Sequence, residues 1–255
     1  AFTQDDAHIF CTQDQAVDEF ISVFVFIQKL YKMFGFSNYK VRLGIRSSKE
    51  KYLGSNDLWE KAQDKAVVAL KQVGVDYFIS EGDAAFYGPK ADFLIKDALG
   101  REWQCGTVQI DFMLPERFGL KYVDSDGKEK IPVMIHRAPL GSLERFLAIL
   151  IENYAGAFPF WLAPVQVMIL PISDKHIPYS KQTYEDLKKS NIRVELDEEP
   201  ATIGKKIRQA TLQKIPYMVI MGDQEVEGKT LSVRTREGKD LRKLTINEFT
   251  KILNY

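Results

Sequence analysis

Cysteine is nearly absent from this chain: Cys11 and Cys105 are the only two, and they share no paired spacing. That excludes a disulfide framework and any C-x-x-C redox or metal motif, and it fits a reducing compartment. Histidine is almost as scarce, with three in 255 residues. Net charge of either sign is missing, because 35 Lys and Arg balance 35 Asp and Glu. A neutral balance does not point to a general nucleic-acid binder but leaves room for one basic face. No apolar run reaches the length of a membrane span. Phe20–Phe26 is interrupted by Ser22 and followed by Gln28 and Lys29, and reads as a buried helix. Internal repeats and low-complexity tracts are lacking too. These absences predict a soluble, cytoplasmic chain with no membrane partner.

What is present is ample core material, 45% hydrophobic and 12% aromatic residues, enough for two domains at this length. Up to residue 157 the pattern predicts helices at Gln15–Phe34, Asp57–Val73 and Leu140–Tyr154. It predicts strands at Tyr39–Ile45, Ala91–Ile95, Glu102–Phe112 and Ile131–His136. Strands that cluster with few intervening helices predict an α+β domain built on an antiparallel sheet over residues 1–157. The segment Phe158–Pro164, bounded by prolines, is the expected junction. Beyond it, over 158–255, strands Val165–Ile169, Ile192–Leu196 and Tyr217–Met221 alternate with helices Tyr179–Lys189 and Ile203–Gln213. A hairpin arm Leu231–Thr235 and a helix Ile246–Leu253 follow, which predicts an α/β domain with a mixed sheet.

Three polar clusters stand out in the first domain. In Thr3–Phe10, strand alternation places Gln4, Asp6 and His8 on one face, with Phe2 and Phe10 in the same row. Such a face is a pocket floor or a solvated strand. A polar cluster this dense at the first residues reads as a working strand whose pairing partner lies upstream. In Trp103–Phe112, Val108, Ile110 and Phe112 share one face, and Cys105, Thr107 and Gln109 share the other. Gly106 is placed to host a bulge that re-aims Gln104 to the polar side. In Ile135–Phe146, Gly141 and Ser142 open a helix with Arg145 in its first turn. The helix N-terminus and the guanidinium then face one way, which suits phosphate, although a surface Arg–Glu pair fits the same pattern. His8 and His136 with Asp6 or Cys105 are a conceivable zinc set, but no local ligand spacing supports one. His176 lies in a surface-like connection and is assigned no role.

Together the clusters resemble the threonyl-tRNA synthetase family of class II aminoacyl-tRNA synthetases. Phe2-Thr-Gln-Asp-Asp-Ala-His8, Phe86-Tyr-Gly-Pro-Lys90, Gln104-Cys-Gly-Thr-Val-Gln109, Pro132-Val-Met-Ile-His136 and Gly141-Ser-Leu-Glu-Arg145 carry the likeness. So do Ile203-Gly-Lys-Lys-Ile-Arg208, Gly222-Asp-Gln-Glu225 and Val233-Arg-Thr-Arg236 in the second domain. The resemblance implies a class II antiparallel sheet with flanking helices, followed by an anticodon-binding domain. It implies a threonine-tRNA ligase that uses ATP with Mg2+, then transfers threonine to tRNA(Thr), and that is a homodimer at full length. Phe2, Lys90, Gln104, Thr107 and Arg145 would meet ATP, with Arg145 as the catalytic cation. Gln4, Asp6, Tyr87, Gln109 and Ser142 would meet threonine. His8 and His136 would ligate zinc, and Glu225 and Arg234 would read the anticodon. Lys205, Lys206 and Arg208 would touch phosphate or simply form a solvated helix face. Pro200 stands where relatives often carry a polar anticodon contact. In the family the third zinc ligand, a cysteine, the arginine of the second class motif and the whole first motif lie upstream of Phe2. The expectation is therefore impaired zinc occupancy and adenylation in this chain, with a non-catalytic tRNA-binding module as the alternative.

Overall fold

The computed structural model describes residues 1–48 and 52–253. They form two compact units, Ala1–Asn153 and Tyr154–Tyr255. The first contains β1 (Ala7–Cys11), α1 (Ala16–Met33), β2 (Tyr39–Ile45), α2 (Asn56–Val73), β3 (Tyr77–Glu81), β4 (Lys90–Lys96) and β5 (Glu102–Asp111). These are followed by α3 (Leu114–Arg117), the short hairpin β6 (Tyr122–Val123) and β7 (Glu129–Lys130), then β8 (Val133–Ala138) and α4 (Leu143–Tyr154). Six strands make one sheet in the order β1-β8-β5-β4-β2-β3. Every pair is antiparallel except β2–β3, a parallel pair whose connection contains α2, as a parallel pair requires a long crossover. The strand Tyr77–Glu81 is not foreseen from the sequence, because its residues are half-buried or exposed and show no clean alternation.

Helix spacing decides which sheet face is the core. Phe20, Val23, Phe24, Ile27 and Tyr31 fall on one stripe of α1 and are buried. Phe24 meets Phe93 of β4 with ring centroids 4.6 Å apart, and the Arg137 guanidinium of β8 lies over Phe26. Helix α2 starts at Ser55, whose hydroxyl accepts the Leu58 N–H, and stops at Gly74 in the left-handed region. Its Ala62, Ala66 and Ala69 are fully buried. The sheet face under these helices carries Val108, Ile110 and Ile135, all with no exposed surface. The opposite face is left for polar side chains.

A bulge lies in β5. Asp92 of β4 opposes Thr107 and Leu94 opposes Gln104, so β5 spends one extra residue across this interval. Gly106 is at the extra position for a steric reason: a Cβ there would come 2.5 Å from the Pro139 carbonyl oxygen and 2.7 Å from Tyr31 Oη. The bulge turns Gln104 toward the polar face, as the sequence predicts. It also turns Cys105 inward, contrary to its expected place in the polar row. Cys105 is buried near Tyr31, and burial pushes its thiol up to about 11.

The second unit holds β9 (Val167–Pro171), α5 (Ile177–Lys189), β10 (Val194–Leu196), α6 (Ile203–Leu212), β11 (Tyr217–Met221), α7 (Asp223–Gly228), β12 (Leu231–Thr235), β13 (Asp240–Leu244) and α8 (Ile246–Leu253). Its sheet runs β10-β9-β11-β12-β13, parallel in the first three strands and antiparallel in the last two. Strand alternation divides the core into two layers. Val167, Ile169 and Val219 pack with Leu187, Phe249 and Leu253, and Met168, Leu170 and Met218 pack with Ala210. Strand β13 and helix α7 go unforeseen, since Asp240–Leu244 is too polar to announce a strand.

Candidate active site

The polar face of the first sheet is built by register. His8 opposes His136, His136 opposes Gln109, Gln109 opposes Lys90, and Lys90 opposes Gly44. Side chains directly across a ladder share a face, so four polar residues form one row over four strands. A second row, one pleat away, runs Ala138, Thr107, Asp92 and Arg42. Gly44 has no room for a side chain, because a Cβ would meet the Asp83 carbonyl oxygen at 2.6 Å.

At one end of the first row the rings stack. His8 and His136 meet edge to face at 4.7 Å between centroids, and Tyr87 stacks on His136 at 4.6 Å. Tyr87 Oη donates to Gln109 Oε1 at 2.5 Å. Burial pushes the Tyr87 phenol up to about 12, and the carboxylates of Asp111 and Asp6 add to the rise. Behind His136, fully buried Asp111 holds Nε2 at 2.9 Å through Oδ2. Its Oδ1 accepts the N–H groups of Met113 at 2.7 Å and Leu114 at 2.9 Å. With Asp111 as acceptor, the neutral imidazole carries its proton on Nε2 and keeps a lone pair on Nδ1. Two imidazoles, one backed by a carboxylate, are a donor set suited to zinc. Among the described residues, no group of three His, Cys, Asp or Glu side chains converges.

The second group surrounds Asp92, which has no exposed surface. Lys90 Nζ and Arg42 Nη2 donate to its Oδ2 at 2.5 and 2.8 Å, and Gln104 Nε2 donates to Oδ1 at 2.9 Å. Arg145 Nη1 donates to the Gln104 carbonyl oxygen at 2.7 Å, with its guanidinium over the Trp103 ring at 5.5 Å. Thr107 Oγ1 is buried and makes no hydrogen bond among the described residues. Lys90, Gln104, Thr107 and Arg145 are therefore gathered into one neighbourhood. Sequence reading passes over Asp92, Arg42 and Asp111. The available signal for Asp92 is a carboxylate in the middle of an otherwise apolar strand.

Residues 2–6 differ from the continuous strand expected. Regular pairing begins only at Ala7, and Gln4 makes a single isolated bridge to Ser142. The segment instead clasps the start of α4. Leu143 N–H donates to the Thr3 carbonyl at 2.9 Å, Thr3 N–H donates to the Glu144 carboxylate at 2.9 Å, and Leu140 N–H donates to Asp5 at 3.0 Å. Burial raises the Asp5 carboxyl above its usual range. Arg145 N–H is satisfied by Ser142 Oγ at 3.3 Å. These bonds occupy the amides that the sequence reading assigns to phosphate, so at this helix end the Arg145 side chain is left as the group for an anion. Phe2 is 66% exposed.

In the second unit, Glu225 Oε2 accepts the Gly222 N–H at 2.9 Å, and Arg234 pairs with Asp240 at 3.2 Å on the hairpin. Lys206 is not a phosphate contact. It is buried, and its ammonium donates to the Asp197 carbonyl at 2.8 Å and sits 3.7 Å from the Asp197 carboxylate. His176 is likewise buried rather than surface-like, held between Ser173 N–H at 3.1 Å and Asp223 Oδ1 at 3.0 Å. No helix among the described residues is long and apolar enough to cross a membrane.

Comparison with known proteins accounts for both units. Residues 1–154 match the tRNA synthetase class II core domain (G, H, P, S and T), and residues 166–254 match the anticodon binding domain. The chain is 52% identical over 253 residues to a threonine–tRNA ligase of Thermotoga neapolitana, covering 99% of this chain and 39% of that protein. It is 52% identical over 254 residues to a threonine–tRNA ligase of Clostridium tetani, again covering 39% of the relative. The chain thus spans about two fifths of the length of these curated relatives. The crystal structure of the RNA binding domain of threonyl-tRNA synthetase from Cryptosporidium parvum Iowa II superposes with a TM-score of 0.89 at 38% identity. That match covers 99% of this chain and 63% of the other. By its sheet, its two units and these matches, the chain belongs to the class II tRNA synthetase core family (G, H, P, S and T).

Proposed function

We propose that the chain carries most of the catalytic core, residues 1–157, and the anticodon-binding domain, residues 158–255, of a cytoplasmic threonine-tRNA ligase that works as a homodimer. Its substrates are threonine, ATP with Mg2+, and tRNA(Thr). The observation that supports this best is the pair of rows on one sheet face, where a hydroxyl-reading ring cluster adjoins a cationic cluster. The threonine carboxylate attacks the α-phosphorus of ATP, and the carboxylate oxygen–phosphorus bond forms as pyrophosphate leaves. Nothing in that step needs a covalent bond to the protein. The residues supply alignment and charge compensation. Lys90 and Arg145 face the phosphates, Gln104 and Thr107 hold the nucleotide, and the Phe2 ring stacks on adenine. Gln4, Asp6, Tyr87, Gln109 and Ser142 enclose threonine, with Asp6 accepting from its hydroxyl. A pocket that demands a hydroxyl rejects valine far better than shape alone does. His8 and His136 would hold zinc, which when bound supplies a Lewis-acid contact to the amino and hydroxyl groups of threonine. Glu225 and Arg234 read unstacked anticodon bases.

Threonine-dependent exchange of pyrophosphate into ATP tests this on the protein in its natural full-length form. Exchange that falls by orders of magnitude in Arg145→Ala supports the reading, and absence of exchange above background refutes it. Only two imidazoles, His8 and His136, meet at the site and no third ligand converges with them among the described residues, which favours a second reading, a tRNA-binding module without catalysis. Threonylation of tRNA by the 255-residue chain itself would exclude that alternative.

A further inference from the structure

We infer that Asp92 is a positioning residue that holds Lys90 and Gln104 where they meet the nucleotide, with Arg42 as its anchor; this rests on the nucleotide reading above. A carboxylate with no exposed surface is costly unless each oxygen is well paired. Asp92 meets that condition with donors from three strands: Lys90 at 2.5 Å, Arg42 at 2.8 and 3.3 Å, and Gln104 at 2.9 Å. Arg42 Nη2 also donates to Gln104 Oε1 at 2.8 Å. Asp92, Arg42 and Gln104 therefore close a ring of three hydrogen bonds. In that ring the Gln104 amide has a single sensible orientation, because a flip would set its NH2 against a guanidinium.

The ring also fixes which polar capacity remains for a ligand. Arg42 is committed to Asp92, Gln104 and, through Nη1 at 3.2 Å, Asp83. Lys90 gives Asp92 one of its three protons and keeps two. The Gln104 side chain keeps one N–H and one lone pair, and the main-chain carbonyl of Gln104 accepts from Arg145 at 2.7 Å. Thr107, opposite Asp92 in the register, adds a buried hydroxyl that has no hydrogen-bond partner among the described residues. Two half-used groups and one unpaired hydroxyl next to a fully used carboxylate are what a cradle needs: one residue sets the geometry and its neighbours contact the ligand. The chemical class that fits is a polyanion with a polar ring attached, a nucleoside triphosphate.

The test is a double-mutant cycle on ATP affinity, measured by calorimetry on the natural full-length protein, with thermal melts in parallel. If Asp92 acts through Lys90, Asp92→Asn weakens ATP about tenfold, and Asp92→Asn in a Lys90→Met background costs no more than about twofold further. A merely structural Asp92 gives additive losses, which would overturn the inference, as would Asp92→Asn binding ATP like the parent. Should Asp92→Asn fail to fold, Arg42→Lys decides. It keeps the charge but cannot bridge both Asp92 and Gln104. Loss of ATP affinity at an unchanged melting temperature supports positioning, and unchanged affinity refutes it. If the unaltered full-length protein binds no ATP, the nucleotide reading fails first, and this inference with it.

Discussion

Removing the carboxylate behind His136 separates two effects that are usually confused. Asp111 serves three donors: His136 Nε2 at 2.9 Å, Met113 N–H at 2.7 Å and Leu114 N–H at 2.9 Å. In Asp111→Ala all three lose their acceptor in a buried site, and each unmet group costs about 1–3 kcal/mol. The sum is about 3–9 kcal/mol, a large share of the ~5–15 kcal/mol that holds a typical domain. Asp111→Asn is different. Its carbonyl can still accept both amides, so the loss of stability is about 1 kcal/mol. Its NH2, however, now faces His136 Nε2 and obliges that nitrogen to accept. The imidazole proton then moves to Nδ1, the atom that Asp111 leaves free for a metal. A 15N spectrum of the histidine side chains reads this directly. The parent shows the Nε2–H tautomer at His136, and Asp111→Asn shows Nδ1–H. Zinc affinity falls by about 10–100-fold in the same variant, the scale expected for an orienting partner of a ligand. An unchanged tautomer together with unchanged zinc affinity would refute the reasoning.

Three further outcomes follow from the geometry. Gly106→Ala, whose Cβ would crowd the Pro139 carbonyl and Tyr31 Oη, destabilises the first unit by about 1–3 kcal/mol in urea melts; a neutral result would mean that the bulge tolerates a side chain. Cys105 keeps its proton in the fold up to about 11 against an ordinary 9.0, so the stability it contributes is complete below 9 and is lost as pH rises toward 11. Cys105→Ala should flatten that alkaline decline in the urea midpoint, and an unchanged slope would contradict it. Lys206→Met destabilises the second unit by about 2 kcal/mol yet leaves the salt dependence of tRNA binding unaltered, whereas Arg234→Ala lowers tRNA affinity at an unchanged melting temperature. A reduced salt slope in Lys206→Met would restore it as a phosphate contact.

The strongly periodic elements were legible in the sequence. Tyr39–Ile45, Tyr217–Met221 and Leu231–Thr235 appear with their expected bounds, the first and last because apolar and polar residues alternate along them, and Tyr217–Met221 because it is a short apolar run buried on both faces. The glycine bulge was legible too, since a glycine among polar and apolar positions of one strand has few other uses. What escaped was set by tertiary pairing. Tyr77–Glu81 and Asp240–Leu244 become strands only because a neighbouring edge is open to them. The clasp of Thr3–Asp5 on α4 is invisible because it joins residues distant in sequence. Asp92 and Asp111 escaped for a related reason. A buried carboxylate announces itself by its partners, and those partners lie on other strands.

The most direct test of the account is amino-acid selection by the His8–His136–Asp6 pocket. Threonine, serine and valine are titrated into the natural full-length protein with ATP and zinc present. The account predicts that threonine binds, that serine binds measurably, and that valine is rejected by roughly 10⁴-fold, because a site built to bond a hydroxyl leaves buried polar groups unpaired without one. Valine binding within tenfold of threonine would contradict it.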